Sequence, residues 1–297
     1  MVNPEEYGLE IAKAAAEGAA KESVNKLSTI IGSIFPFFGL KKEAITTYIS
    51  EIQNSNLAPE AKMLSIANAK KTYKHMKNQQ KIAQIAQENA KDGTDFSAQS
   101  KVDDEWLERF MDSAKFVSDE NMQLIWGKIL AREFEEPSST SPSVIRILSE
   151  VTPKYAKAFQ ILCSLAVEFE LLCDFNDDKD FISYVVLPSK HDYLNDYGLT
   201  FTTLNELQLL GLIQYEPNTG YKIDFTGECM PNKIRLTYDN KRTSVAKLPD
   251  KSLPIGCVRI TDAGYSIKKF ITTEPIMEHF DAVTAFLKDS NIEFSEI

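Results

Sequence analysis

Histidine is scarce in this chain. There are three in 297 residues, His75, His191 and His279, far apart from one another and none near a cysteine in the sequence. Each therefore reads as a surface histidine rather than a base or a metal ligand. The phosphate-cradling patterns GxxxxGK[ST] and GxGxxG are missing, as are HExxH and GxSxG, so no residue stands out as catalytic and the chain is read as a non-enzyme. The four cysteines, Cys163, Cys173, Cys229 and Cys257, contain no CxxC pair. Reduced, buried thiols in a cytoplasmic protein suit that pattern better than a disulfide frame or a zinc site. No uncharged apolar run reaches the roughly 18 residues of a spanning helix. The first residues are polar and alanine-rich, so no cleavable signal peptide is expected. An acidic cluster at 176–180, NDDKD, has the content of a metal-nuclease strand end but lacks a second acidic motif to pair with. No metal and no cofactor is expected.

What the chain does have is unevenly placed charge. A formal net charge of −10 argues against a surface devoted to nucleic acid. Residues 60–91 nevertheless hold seven lysines against two glutamates, whereas 102–136 hold ten acidic residues against four basic ones. A basic helix and an acidic helical pair can pack within one chain, mediate assembly between chains, or simply be solvated faces.

The most informative stretch is 105–133. Ser118 reads as an N-cap, followed by Asp119 and Glu120 in the first turn, where the helix dipole favours negative charge. Met122, Ile125, Trp126, Ile129 and Leu130 then recur at three- and four-residue steps and give one wide apolar face. Trp106, Leu107, Phe110, Met111 and Phe116 do the same in the segment before. Two antiparallel helices sharing a core follow, with Trp106, Phe110, Ser118, Met122, Trp126 and Leu130 as a structural signature. The run Ser118-Asp119-Glu120-x-Met122-x-x-x-Trp126-x-x-Ile129-Leu130-Ala131, with a Pro/Ser loop and the helix TPKYAKAFQILCSL after it, resembles a bacterial domain-of-unknown-function family. That family is similar in its logic to the Abi-alpha type of abortive-infection proteins. The resemblance covers about 100–215 and implies a bacterial, phage-defence setting without supplying catalytic residues.

The N-terminal third reads as helical over 7–27. Residues 28–40, STIIGSIFPFFGL, are nearly continuous in apolar side chains, broken by Pro36 and Gly39 and flanked by Lys41 and Lys42. Three readings are open for Ile34, Phe35, Phe37 and Phe38: a buried packing segment, a hydrophobic oligomer contact, or an interfacial membrane anchor whose lysines sit at the headgroups. Helices at 42–53 and from Pro59 to about 91 follow. The second is long, sparse in apolar residues and without a clean heptad, so it is expected to be partly exposed. Residues 92–100 are a linker by composition.

Beyond the loop at 135–142, helices are expected at 142–151 and from Pro153 through Phe169. From about 174 the texture changes to short strands and turns: 181–187, 212–215, 221–225, 234–238 and 257–260. A helix at 200–210, Gly211, a strand, a turn at 217–220, and a last strand leading into a helix capped by Thr261 form a winged-helix pattern. The helix at 200–210 has no Lys or Arg to present to a duplex. The nucleic-acid candidates are instead Lys233, Arg235, Lys241 and Arg242, and a protein-interaction or structural wing is the stronger reading.

The expectation is thus a mainly α protein with a smaller α+β part: a helical N-terminal half and a winged-helix-like C-terminal module. Its divisions are 1–91, 101–173 and 174–297. The expected function is a non-catalytic interaction or assembly role, plausible within anti-phage defence. One alternative is a nucleic-acid-binding regulator acting through the C-terminal module; a second is a membrane-surface effector acting through 28–40. A protein partner or self-association is expected, with a membrane surface or nucleic acid as other partners. The expected location is the cytoplasm, peripheral to the inner membrane. If 28–40 is the effector, Phe35→Asp together with Phe38→Asp abolishes toxicity in expressing cells while the circular-dichroism melt stays unchanged; retained toxicity overturns that assignment.

Overall fold

Proline and aspartate set all but the first of the described helix starts of the N-terminal part. The structure, a computed structural model, describes residues 39–91, 94, 102–172, 180–185, 192–224, 233–238, 242–247, 252–289 and 293–296. The helix expected at 7–27, the apolar residues Ile34, Phe35, Phe37 and Phe38, and nearly all of the linker at 92–100 lie outside the described residues. The chain divides into two compact units, Met1–Ser149 and Glu150–Ile297.

In the first unit, α1 (Lys42–Asn54) and α2 (Pro59–Asn89) form a helical hairpin. Pro59 takes the first turn of α2, where its missing N–H leaves no intrahelical bond unmade. Helices α3 (Asp104–Ala114) and α4 (Glu120–Glu135) open on Asp103 and Asp119, whose carboxylates accept from the amides of Trp106 at 2.7 Å and Met122 at 3.0 Å. The cap of α4 is therefore Asp119 and not Ser118. Asp119 has the extended backbone a cap needs, and its charge meets the positive end of the helix dipole. Helix α5 (Pro142–Glu150) follows the Pro/Ser loop.

The signature residues build the core. Trp106 stacks on Phe110 with ring centroids 4.9 Å apart, and Phe110 meets Trp126 at 4.8 Å. Met122, Ile129 and Leu130 are buried beside them. Phe116 departs from the expected pattern: it is 65 % exposed and lies edge-on to His75. Helix α3 ends at Ala114, and the turn that follows carries Phe116 off the buried face.

Helix α2 runs alongside α4, and Gly127 sets their closest approach. A Cβ at Gly127 would lie 2.4 Å from Cγ2 of Ile85 and 3.1 Å from the carbonyl oxygen of Ile82. Polar side chains of α2 are buried for a specific purpose. Gln79 Nε2 donates to Met111 O and Asn78 Nδ2 to Lys115 O, both at 2.9 Å, so α2 satisfies carbonyls at the C-terminal end of α3. Glu133, almost fully buried, accepts from the amides of Ser138 at 2.6 Å and Thr140 at 2.9 Å. Thr140 O in turn accepts from Trp106 Nε1 at 3.0 Å.

In the second unit, α6 (Pro153–Ser164) stops short of Phe169, and Val167–Leu172 is strand β1. Leu162, Leu165, Ala166 and Phe169 fit a helical period. However, Val167-Glu168-Phe169-Glu170-Leu171 also alternates apolar and acidic residues, and the period of two wins because β1 pairs on both sides. The other elements are β2 (Asp180–Val185), α7 (Asp192–Asp196), α8 (Phe201–Leu209), β3 (Ile213–Tyr215), β4 (Tyr221–Asp224), β5 (Lys233–Tyr238), β6 (Arg242–Lys247), β7 (Ser252–Gly256), β8 (Val258–Ile260), α9 (Asp262–Lys268), α10 (Met277–Asp289) and β9 (Glu293–Glu296). Seven strands make one antiparallel sheet in the order β3-β8-β2-β1-β5-β6-β9, and β4 pairs with β7 separately. Thr261 caps α9 by accepting from Gly264 N at 3.0 Å, and donates to Gly211 O at 2.6 Å. A Cβ on Gly264 would stand 2.1 Å from Leu212 O, so only glycine lets the start of α9 lie this close to the entry of β3. The chain is mainly helical, and the described strands all belong to the second unit.

Helix propensity alone would make Gly127→Ala favourable by about 1 kcal/mol. The contact with Ile85 reverses the sign: the variant is expected to lose about 1–3 kcal/mol through overpacking. A urea titration should show a lower midpoint at unchanged slope. A variant as stable as the parent would mean that α2 and α4 are not held at this distance.

Candidate functional site

Three places in the described structure carry exposed or buried chemistry. The first is the solvent face of α2. Lys70, Lys74, Lys77 and Lys81 follow at four-, three- and four-residue steps. At about 3.6 residues per turn these steps return each lysine to one face, over about 16 Å of helix. All four are exposed, as is Lys71 beside them, and none makes an ion pair among the described residues. Lys91, by contrast, is spent on the acidic block, with Nζ 3.2 Å from Glu135. Met63 lies on the same helical face about two turns before Lys70 and is 73 % exposed, and Leu64 beside it is 64 % exposed. Lys41 and Lys42 are exposed at the start of α1. They follow Leu40, which is buried in one small core with Ile45, Ala69 and Met76. That core brings the two α1 lysines to the level of α2 from which Lys70, Lys74 and Lys77 project. Sequence reading found the basic block but not its arrangement, because a count of lysines does not say which are paired.

The second place is the sheet that carries the nucleic-acid candidates. Arg235 lies opposite Glu170 in the β1–β5 register and donates through Nη1 to Glu170 Oε2 at 2.7 Å. Its charge is committed to a buried carboxylate. Lys233 and Arg242 stand in paired strands β5 and β6, where Lys233 faces Lys247 and Tyr238 faces Arg242. Lys241 lies outside the described residues.

The third is a buried network centred on His279, which sequence reading had placed at the surface. Nε2 of His279 lies 2.8 Å from Leu165 O, and Nδ1 lies 2.8 Å from the hydroxyl of Tyr193. A carbonyl only accepts, so Nε2 carries the proton and Nδ1 accepts from Tyr193. Tyr193 is in turn 3.3 Å from the hydroxyl of Tyr197. Burial holds the imidazole at about 4, well below its ordinary value, despite the opposing bond to Leu165. Burial, then the Tyr197 hydrogen bond, raises Tyr193, which keeps it a donor. Tyr238 ties in the same region by donating to Ser164 O at 2.5 Å and accepting from Ile276 N at 2.7 Å. A small cleft of about 110 Å³ adjoins it, lined in part by Cys163, Glu168, Tyr238 and Lys268. Burial pushes the Cys163 thiol up to about 12, so it stays protonated at neutral pH, and Lys268 is paired with Glu168 at 2.9 Å. The network thus fastens α10 and α7 to the end of α6 and offers no ionised nucleophile. The available signal for its burial was helical spacing, which puts His279 in line with Ile276, Phe280 and Val283 and away from Glu278 and Asp281. Among the described residues, no group of three His, Cys, Asp or Glu side chains is placed to hold a metal ion, and no helix is long and apolar enough to cross a membrane.

The depressed His279 pKa sets a sign for acid stability. The unfolded chain protonates near the ordinary value of about 6.5 and the folded chain only near 4, so this contribution is complete above about 6.5 and is lost as pH falls towards 4. Between pH 7 and pH 5 the wild-type chain is expected to lose about 2 kcal/mol more than His279→Gln, which cannot titrate. Urea melts at the two pH values measure it, and equal losses in the two proteins would remove His279 as the responsible group.

No curated protein and no solved structure matches the chain. A family profile described as "Protein of unknown function (DUF2806)" matches residues 67–284, which takes in most of α2, the Trp106–Trp126 core and the second unit almost to the end of α10. The chain belongs to the DUF2806 family.

Proposed function

We propose that this chain is a non-catalytic interaction and assembly protein of a bacterial anti-phage system of the abortive-infection kind. The observation that carries the reading is the exposed lysine face of α2, with Met63 and Leu64 at its head and no carboxylate set against it among the described residues. Unpaired like charges along one face repel one another, and a binding partner that brings negative charge relieves that repulsion. The face is presented by a helix whose other side is fixed against α4, so little backbone entropy is lost on binding. The defence context rests on the likeness to Abi-alpha proteins in the segment around Trp126. The proposed location is the cytoplasm, at the inner surface of the inner membrane.

The C-terminal unit fits a second contact in the same role. We read helix α8, strand β3, its antiparallel partner β8 and helix α9 as a winged-helix-like module. Phe201 and Leu209 of α8 are exposed, while α8 has no Lys or Arg and Arg235 is bound to Glu170. An exposed apolar pair on an uncharged helix favours a protein partner over a duplex.

The test is phage plating on cells carrying the gene with its native neighbours. The expected result is a fall of several orders of magnitude against empty vector, with plating restored when Lys70, Lys74, Lys77 and Lys81 are all changed to Glu. No fall across a broad phage panel overturns the defence assignment, and full protection by the charge-reversed protein overturns the role of the α2 face.

A further inference from the structure

We infer that the lysine face of α2, together with Lys41 and Lys42, docks on an anionic lipid surface. The inference rests on the interaction reading above and names the partner for its basic face. Two observations select lipid. The first is charge complementarity: four lysines in one line over about 16 Å, with Lys41 and Lys42 at the same level, form a cluster of the size that binds acidic headgroups. The second is exposed apolar surface beside the cluster: Met63, on the same helical face about two turns before Lys70, and Leu64 next to it. Stable attachment to a bilayer surface takes two signals, and apolar groups next to a polybasic patch supply both. A duplex would use the lysines but has no use for the apolar residues, and the net charge of −10 opposes general binding to a polyanion with no apolar layer.

The lysines are exposed and sit outside both cores of the N-terminal unit, so changing them leaves packing intact. The experiment is co-sedimentation of the full chain with phosphatidylglycerol-rich vesicles, with pure phosphatidylcholine vesicles, and in parallel a duplex-DNA retention assay. Binding is expected to phosphatidylglycerol vesicles and not to phosphatidylcholine, and to weaken as salt rises. Each lysine contributes about fivefold in affinity, so Lys70→Gln, Lys74→Gln, Lys77→Gln and Lys81→Gln combined should weaken binding by at least about a hundredfold. The thermal melt of that variant should match wild type. Three results overturn the inference: equal sedimentation with both vesicle types, undiminished binding by the quadruple variant, or stripe-dependent retention of duplex with no vesicle binding. If vesicles are not bound yet charge reversal of the stripe still abolishes phage protection, the interaction reading stands and the lipid assignment alone fails. If vesicles are bound through the stripe and plating is unaffected, the lipid assignment stands without the defence role.

Discussion

The packing of α4 on α2 at Gly127 is the constraint on which the N-terminal unit depends. With no side chain at that point, the backbone of α4 can lie against Ile82 and Ile85, and this proximity lets α2 reach past α4 to the end of α3. There Asn78 donates to the carbonyl of Lys115, beyond the last intrahelical bond of α3, and Gln79 adds a second donor to the carbonyl of Met111, which also accepts from Lys115 N. Buried amides without those acceptors would each cost about 1–3 kcal/mol, so the close approach and the polar bonds stand or fall together. The arrangement is not free of cost. The Nε1–H of Trp126 is buried with no acceptor among the described residues, whereas Trp106 reaches Thr140.

One consequence is a division of labour along α2. Its C-terminal half is committed to the core through Ile82, Ile85 and Ala86, while Ala69 and Met76 in its middle hold α1. The two apolar surfaces lie on different sides of the helix, which explains why its hydrophobic residues look sparse and keep no heptad. Neither surface covers the line from Lys70 to Lys81, so the basic face stays in water over that stretch. Rigidity and exposure on one helix are what a docking surface needs, because the entropy of ordering the backbone that carries the lysines is already spent on folding.

The second unit uses a different anchor. His279 is held neutral between a carbonyl and a tyrosine hydroxyl, and Tyr238 bonds to Ser164 and Ile276 close by. These bonds join segments that are distant in sequence to the end of α6, and their polar atoms are satisfied by one another. The cleft beside them carries a protonated thiol and a paired lysine, which is the chemistry of a packed seam.

The sequence by itself determined many of the helix starts and five of the nine described strands, because those depend on near neighbours. Pro59 and Pro142 open their helices as their geometry requires, Thr261 caps α9, and the three- and four-residue steps from Met122 to Leu130 mark a buried face. Where two local rules competed, the sequence was ambiguous. Ser118 and Asp119 are both good caps, and 162–169 satisfies a helical period and 167–171 a strand period; pairing with β2 and β5 settled the second. Only the tertiary structure decided which charges are spent. Arg235 and Lys91 find carboxylates in Glu170 and Glu135, distant in sequence, and Lys70, Lys74, Lys77 and Lys81 find none among the described residues. It likewise buried His279, whose partners Leu165 and Tyr193 lie far away along the chain. Ion pairing and burial are contacts between remote segments, and no local pattern encodes them.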